Sequence, residues 1–265
     1  MRFKKMRIGV CGGVERIKAA AESGFDYFEP GFRSLALADD ETYQQFKAEL
    51  EKYGIPCDAA NCLLPGDIKI VGKNIDYDYI KSYLKKGYAR AAEVGVKTVV
   101  LGSGSARSVP DGYPYKDGVN DIIRFVKLYA APMAAEYDIT FVFEPLCKKE
   151  SNIINTITEG AMLASAIDMP NVASLADLYH MYVEGDTYDD IRRLKGMIRH
   201  AHISNPAPTD PDIKRVFMKS SDEFDYKGFF DALKYAGCER VSIEAVPIDY
   251  ETDVREAVKI MNMYK

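Results

Sequence analysis

The 265-residue sequence contains no tryptophan, three histidines and five cysteines. The cysteines are Cys11, Cys57, Cys62, Cys147 and Cys238, an odd number scattered along the chain. This spacing matches neither a disulfide framework nor a zinc site built from paired cysteines. We therefore expect a protein whose thiols stay reduced, as they do in the cytoplasm.

Long apolar runs and an excess of basic residues are also missing. No stretch approaches the roughly 18 apolar residues that a membrane-spanning helix needs, and residues 7–13 are too short for a signal-peptide core. The 35 lysines and arginines are outnumbered by 40 acidic residues, which gives a net charge of −5. A broad basic face for nucleic acid is therefore not expected. We predict a cytoplasmic protein that binds neither nucleic acid nor a membrane.

What the sequence does contain is an alternation of short apolar runs with longer amphipathic ones. The predicted strands are 7–11, 27–29, 57–63, 98–102, 140–144, 172–177, 200–203 and 241–244. The predicted helices are 41–53, 79–94, 119–137, 157–167, 188–196, 227–236 and 254–263. This order is typical of an α/β protein with a parallel (β/α)8 TIM barrel. An open doubly wound sheet is the rival, but its glycine-rich phosphate motif is absent. We expect residues 1–265 to form a single domain.

Potential metal ligands stand at the ends of four later strands. Glu144, Asp177 and Glu244 each end an apolar run, and His202 lies in the run 200–203. The carboxyl ends of barrel strands carry the chemistry of this fold. A single strand-end glutamate is more often an ion-pair partner, but four such residues in successive strands favour a metal site. Oxygen-rich ligands with one imidazole suit Mn²⁺ or Mg²⁺, with Zn²⁺, Co²⁺ and Fe²⁺ as alternatives.

Six short phrases, in this order and spacing, resemble the xylose isomerase-like TIM barrels. The resemblance is to the sugar phosphate isomerase/epimerase group, which includes D-tagatose/D-psicose 3-epimerases, and it covers most of the chain. The phrases are RIGV at 7–10, GFDYFE at 24–29, EPL at 144–146, DLYHM at 177–181, HAHIS at 200–204 and SIE at 242–244. Each phrase alone is weak, and their combination is fairly specific.

The resemblance implies a reaction and a metal site. It assigns Glu144, Asp177, His202 and Glu244 as ligands of a divalent ion, with Mn²⁺ as the first choice. It implies proton abstraction beside a carbonyl, through an enediolate that the metal stabilises. Glu144 and Glu244 would be the acid/base pair. The expected substrate is a sugar or sugar phosphate, and the expected assembly is a homodimer or homotetramer.

The resemblance also assigns substrate contacts. The family glutamate falls on Glu150, and the family histidine falls on His180. The family arginine would fall on Pro208, so this chain departs from the pattern there, and Arg215 is the replacement. That departure leaves the identity of the sugar more open than the type of reaction.

Several alternatives remain open. An inosose dehydratase or a hydroxypyruvate isomerase would use the same ligands, and a non-catalytic sugar-binding barrel would keep only the fold. An endonuclease IV type of barrel needs more histidines than three. Glu29 either borders the site or pairs with a base such as Arg33, and His200 either supports the site or belongs to the core. The loop 102–107 either holds a phosphate or sugar hydroxyl or is a plain loop.

Overall fold

The structure is a computed structural model that describes residues 5–206 and 215–265. Eight parallel strands form a barrel with helices outside, which confirms the predicted (β/α)8 fold. A short antiparallel pair, β8 (Asn205–Pro206) with β9 (Arg215–Val216), lies beyond the end of β7 (Ile198–Ile203). The described strands are β1 (Arg7–Cys11), β2 (Tyr27–Glu29), β3 (Ala59–Ala60), β4 (Thr98–Leu101), β5 (Thr140–Phe143), β6 (Val172–Asp177), β7 (Ile198–Ile203), β8 (Asn205–Pro206), β9 (Arg215–Val216) and β10 (Arg240–Ile243).

The barrel closes between β2 and β3. The other neighbours follow the order β2-β1-β10-β7-β6-β5-β4-β3. Because β3 has only two residues, the closure uses the segments that flank it. Phe28 N donates to Pro56 O (2.8 Å), and Asn61 N donates to Pro30 O (3.0 Å). The predicted strand 57–63 is therefore mostly irregular, although it occupies the expected place in the barrel.

The helices cover the outside of the barrel. They are α1 (Ile17–Ser23), α2 (Phe32–Leu37), α3 (Asp40–Tyr53), α4 (Tyr77–Glu93), α5 (Gly104–Arg107), α6 (Tyr115–Phe125), α7 (Ala131–Ala135), α8 (Ile157–Ile167), α9 (Leu178–Glu184), α10 (Tyr188–Arg193), α11 (Tyr226–Ala236) and α12 (Tyr250–Tyr264). In the part of the chain that the structure describes, none of them combines the length and apolarity needed to cross a membrane.

Helices α3 and α8 begin at N-cap residues whose side chains accept hydrogen bonds from the first helical turn. The side chain of Asp39 accepts from Thr42 N (2.7 Å) at the start of α3, and Thr156 forms a capping box with Glu159 at α8. The predicted helix 119–137 corresponds to one unbroken helical run over 115–135. It begins earlier, at Tyr115, and a π-helical turn at Val126–Ala130 joins α6 to α7.

The barrel interior is divided into an ionic end, an apolar middle and a polar mouth. At the amino-terminal end, Asp58 accepts from Arg240 Nε (3.0 Å) and pairs with Arg7. Above it lies a small buried cluster formed by Val100, Val142, Ala173 and Leu175. Side chains alternate along a strand, so the residues two positions beyond Val142 and Leu175 again point inward. These two residues, at the mouth, are Glu144 and Asp177.

The interior has no room for a side chain at Gly9. A Cβ atom there would lie 2.3 Å from the ring of the fully buried Tyr27. We expect Gly9→Ala to lower the free energy of unfolding by about 1–3 kcal/mol through overpacking, measured by urea denaturation. In the control Gly13→Ala, the nearest atoms belong to the largely exposed Glu15 carboxylate, which can rotate away. Equal stability of the two variants would contradict this account.

Candidate active site

The four residues predicted as metal ligands come together at the mouth of the barrel. Asp177 ends β6 and His202 lies in β7, whereas Glu144 and Glu244 directly follow β5 and β10. One oxygen or nitrogen atom of each of the four lies within 4.8 Å of the others. Glu144, Asp177 and His202 are buried, and the Glu244 side chain retains partial access to solvent. Four chain segments distant in sequence thus supply one compact group of donor atoms.

The imidazole of His202 lies between two sets of carboxylates. Its Nδ1 atom is 2.7 Å from Glu144 Oε1 and 3.6 Å from Glu244 Oε2. Its Nε2 atom is 3.0 Å from Glu29 Oε1. Burial opposes a charge on this ring, but Glu29, Glu144 and Glu244 together raise the pKa of His202 well above its usual value. A protonated His202 therefore offsets part of the acidic charge.

The environment moves the pKa values of Glu144 and Glu244 in opposite directions. Burial raises the pKa of Glu144, but His202 outweighs burial and holds it below the usual value. Burial and then the nearby Glu144 charge raise the pKa of Glu244, against the opposing effect of Arg215. Glu244 also accepts a hydrogen bond from Asn61 Nδ2 (2.9 Å). Two carboxyl groups that differ in this way are typical of an acid/base pair.

One carboxylate oxygen of Asp177 accepts a hydrogen bond, and the other accepts none from the described residues. Oδ1 accepts from His180 N (2.9 Å) and caps α9. Oδ2 is buried and has no hydrogen-bond partner among the described residues, although Arg215 Nη1 lies 3.9 Å away. An orphaned buried carboxylate oxygen beside two glutamates and an imidazole suits a hard divalent cation. The donor atoms at the mouth therefore fit a metal ion.

The predicted substrate contacts lie beside this cluster. Arg215 donates to Glu150 Oε2 (3.0 Å), pairs with Glu244, and lies over the ring of Tyr179 at 5.3 Å. His180 Nδ1 accepts from Cys147 N (2.9 Å). Within the described residues, His180 Nε2 and Glu150 Oε1 are buried without hydrogen-bond partners. Pro208 falls outside the residues that the structure describes.

Sequence reasoning missed two residues that support the carboxylates. Asn61 donates to Glu244, and Gly102 leaves room for Glu144, because a Cβ atom there would lie 2.1 Å from Glu144 Oε2. Both residues fall in predicted strands, 57–63 and 98–102. Their positions were therefore visible in the sequence, but the side chains they contact depend on the assembled barrel.

The structure also gives the contacts of Glu29, His200 and the loop 102–107, whose roles the sequence did not decide. Glu29 contacts both His200 and His202, each at 3.0 Å, so it borders the site from below. Arg107 is fully buried and donates to the carbonyl oxygens of Leu101 (3.0 Å) and Glu144 (2.8 Å). Arg107 therefore supports the strand end that carries Glu144 and is not available to an anion.

Comparisons with known proteins agree with this architecture. The protein-family description "Xylose isomerase-like TIM barrel" matches residues 17–263. A 3-dehydro-D-guloside 4-epimerase from Escherichia coli K12 is 24% identical over 231 residues, which span 83% of this chain and 82% of that protein.

Solved structures of low sequence identity share the fold. A 3-keto-D-glucoside 4-epimerase from E. coli superposes with a TM-score of 0.79 at 20% identity, covering 98% of this chain and 100% of that one. A D-allulose 3-epimerase from Methylomonas sp., in complex with D-allulose, gives a TM-score of 0.81 at 18% identity, covering 100% and 99%. Because the family description matches nearly the whole chain, this protein belongs to the xylose isomerase-like TIM barrel family.

Proposed function

We propose that this protein is an isomerase, a divalent-metal-dependent sugar epimerase of the ketose 3-epimerase type. The observation that carries the proposal is the approach of Glu144 and Glu244 to the same nitrogen of His202, with Asp177 beside them. The names of the E. coli and Methylomonas relatives, all sugar epimerases, support the same class of reaction.

Glu144, Asp177, His202 and Glu244 would hold the metal ion, with Mn²⁺ as the first choice for this donor set. A bound divalent ion would supply Lewis acidity, which lowers the cost of negative charge on substrate oxygens. Among the described residues, the ion pairs to the three carboxylates come from two groups, His202 and Arg215. This shortage of positive charge favours a cation as the natural occupant.

Glu144 and Glu244 would move the proton. A carboxylate that binds the ion through one oxygen keeps its second oxygen available to accept or return a proton. A substrate carbon between them can lose a proton to one carboxylate and receive one from the other. Because the two groups would act on opposite faces, the configuration at that carbon would be inverted.

His180, Glu150 and Arg215 would bind the sugar. His180 Nδ1 accepts from a backbone N–H, so a neutral His180 carries its proton on Nε2 and can donate it in a hydrogen bond. Burial lowers the pKa of His180, which favours this neutral form. Glu150 Oε1 provides an unused acceptor. Hydroxyl groups both donate and accept, so this combination suits a polyol chain.

The proposed metal site predicts that substitution of a ligand lowers the affinity for Mn²⁺. We expect the protein to bind a single Mn²⁺ per chain. Asp177→Asn and Glu244→Gln should weaken binding by about 100-fold or more, beyond the effect usual for residues that only support a ligand. Isothermal titration and elemental analysis measure this. The control is Glu136→Gln, an exposed residue at the opposite end of the barrel. Wild-type protein that takes up no divalent ion would contradict the proposal.

The reaction predicts solvent exchange. We expect the protein to epimerise a ketose in D2O and to incorporate deuterium at the inverted carbon. NMR measures this incorporation. Glu144→Gln and Glu244→Gln should each lower kcat by about 100- to 10,000-fold, the usual contribution of a general acid or base. Glu136→Gln should retain wild-type turnover. A dehydrated keto product would indicate the dehydratase alternative, and sugar binding without turnover would indicate a binding barrel.

The position of Arg215 predicts that a substitution there lowers kcat/KM for the substrate rather than the stability of the fold. Arg215→Lys keeps the charge but loses the planar group that contacts Glu150 and Glu244 together. We expect kcat/KM to fall about 10-fold or more, since hydrogen bonds to charged groups contribute about 1.5–3 kcal/mol. The exposed Arg255 on α12 gives the matched control, Arg255→Lys. An unchanged kcat/KM for Arg215→Lys would remove Arg215 from the substrate site.

A further inference from the structure

Glu29 is a fully buried carboxylate that the proposed chemistry does not use. Its Oε1 atom is 3.0 Å from His202 Nε2, and its Oε2 atom is 3.0 Å from His200 Nε2. Ser242 Oγ also donates to Oε2, and the Ser242 hydroxyl is 2.6 Å from the hydroxyl of Tyr27. All five side chains are fully buried. Strands β2, β7 and β10 thus form a closed polar network directly below the carboxylate cluster.

This network determines which nitrogen of His202 faces the site. An ionised carboxylate only accepts hydrogen bonds, so both imidazoles must carry a proton on the Nε2 atom that faces Glu29. His200 Nε2, His202 Nε2 and the Ser242 hydroxyl all lie within hydrogen-bond distance of the two Glu29 oxygens, an arrangement of donors that suits an ionised carboxylate. In a neutral His202, the lone pair is then on Nδ1, the atom that approaches Glu144 and Glu244.

We propose that Glu29 is a positioning residue for the metal centre. It fixes the ring orientation and the tautomer of His202, and Ser242 and His200 hold Glu29 in turn. The inference rests on the proposed function, because it concerns the same metal site. A carboxylate behind a metal-binding histidine raises the basicity of that ligand.

Packing alone does not account for Glu29. A buried carboxylate has a large desolvation cost, which an apolar residue at the same place would avoid. Its two oxygens are instead divided between two imidazoles, and one of these belongs to the carboxylate cluster. At the other end of the network, Gly9 leaves the space that the Tyr27 ring occupies. The arrangement therefore has a specific geometry rather than a general space-filling role.

The test uses Glu29→Gln in the full-length protein. Glutamine keeps the volume but replaces one acceptor oxygen with an NH2 donor, so it cannot accept from both imidazoles. Co²⁺ is titrated into metal-free wild type, Glu29→Gln and Glu136→Gln, and the visible absorption of bound Co²⁺ reports affinity and coordination. We expect Glu29→Gln to bind Co²⁺ about 10- to 100-fold more weakly with an altered spectrum. Glu136→Gln should match wild type.

A second readout observes the tautomer directly. The chain has only three histidines, so selective ¹⁵N-histidine labelling gives a simple spectrum of the Zn²⁺-loaded protein. We expect wild-type His202 to carry its proton on Nε2, and Glu29→Gln to lose this single state. A purely structural role would change thermal unfolding without changing the tautomer. Ser242→Ala, which removes one donor to Glu29, should shift Co²⁺ affinity in the same direction by a smaller factor.

The outcomes separate this inference from the proposed function. If wild type binds Co²⁺ and both Glu29→Gln and Ser242→Ala bind it equally tightly, the positioning role is wrong and the metal enzyme stands. A wild-type His202 with its proton on Nδ1 in the Zn²⁺-loaded protein would also overturn the inference. If wild type binds neither ion, the proposed metal site fails, and the positioning role fails with it. A Glu29→Gln protein that does not fold leaves Ser242→Ala to decide.

Discussion

Three carboxylates and one imidazole lie within 4.8 Å of one another at the mouth of this barrel. The repulsion between the carboxylates is the constraint that the surrounding residues must compensate. His202 approaches Glu144 at 2.7 Å, and Arg215 pairs with both Glu244 and Glu150. Removing such groups from water is costly unless opposite charge and hydrogen bonds compensate. The cluster is therefore maintained only because the barrel holds each member in place, and it favours a bound cation.

Residues from several other parts of the barrel support the cluster. Gly102 leaves room for the carboxylate of Glu144, and Arg107 bonds to the carbonyl oxygen of the same residue. Asn61 donates to Glu244 from the closing segment of the barrel, and Glu29 contacts His202 from below. The same parallel ladder that forms the fold thus positions the site, because β5, β6, β7 and β10 each place one inward side chain at or directly after their carboxyl ends.

Much of the fold and part of the site could be predicted from the sequence. Glu144, Asp177 and Glu244 each end an apolar run, and a parallel barrel brings such ends to one rim. Asn61 and Glu29 could not be assigned in the same way. Glu29 and His202 are 173 residues apart, and Asn61 and Glu244 are 183 residues apart. Their pairing depends on which strands face each other across the barrel, which local patterns do not contain.

The sequence by itself determined the barrel, its strand–helix order and the carboxylates at the strand ends. These features follow from periodicity and residue type, which act locally along the chain. The tertiary structure alone decided the partners: the split of His202 between Glu29 and Glu144, the opposite pKa shifts of Glu144 and Glu244, and the use of Arg107 as an internal support. Burial and charge depend on distances across the barrel, and those distances exist only after the chain has closed.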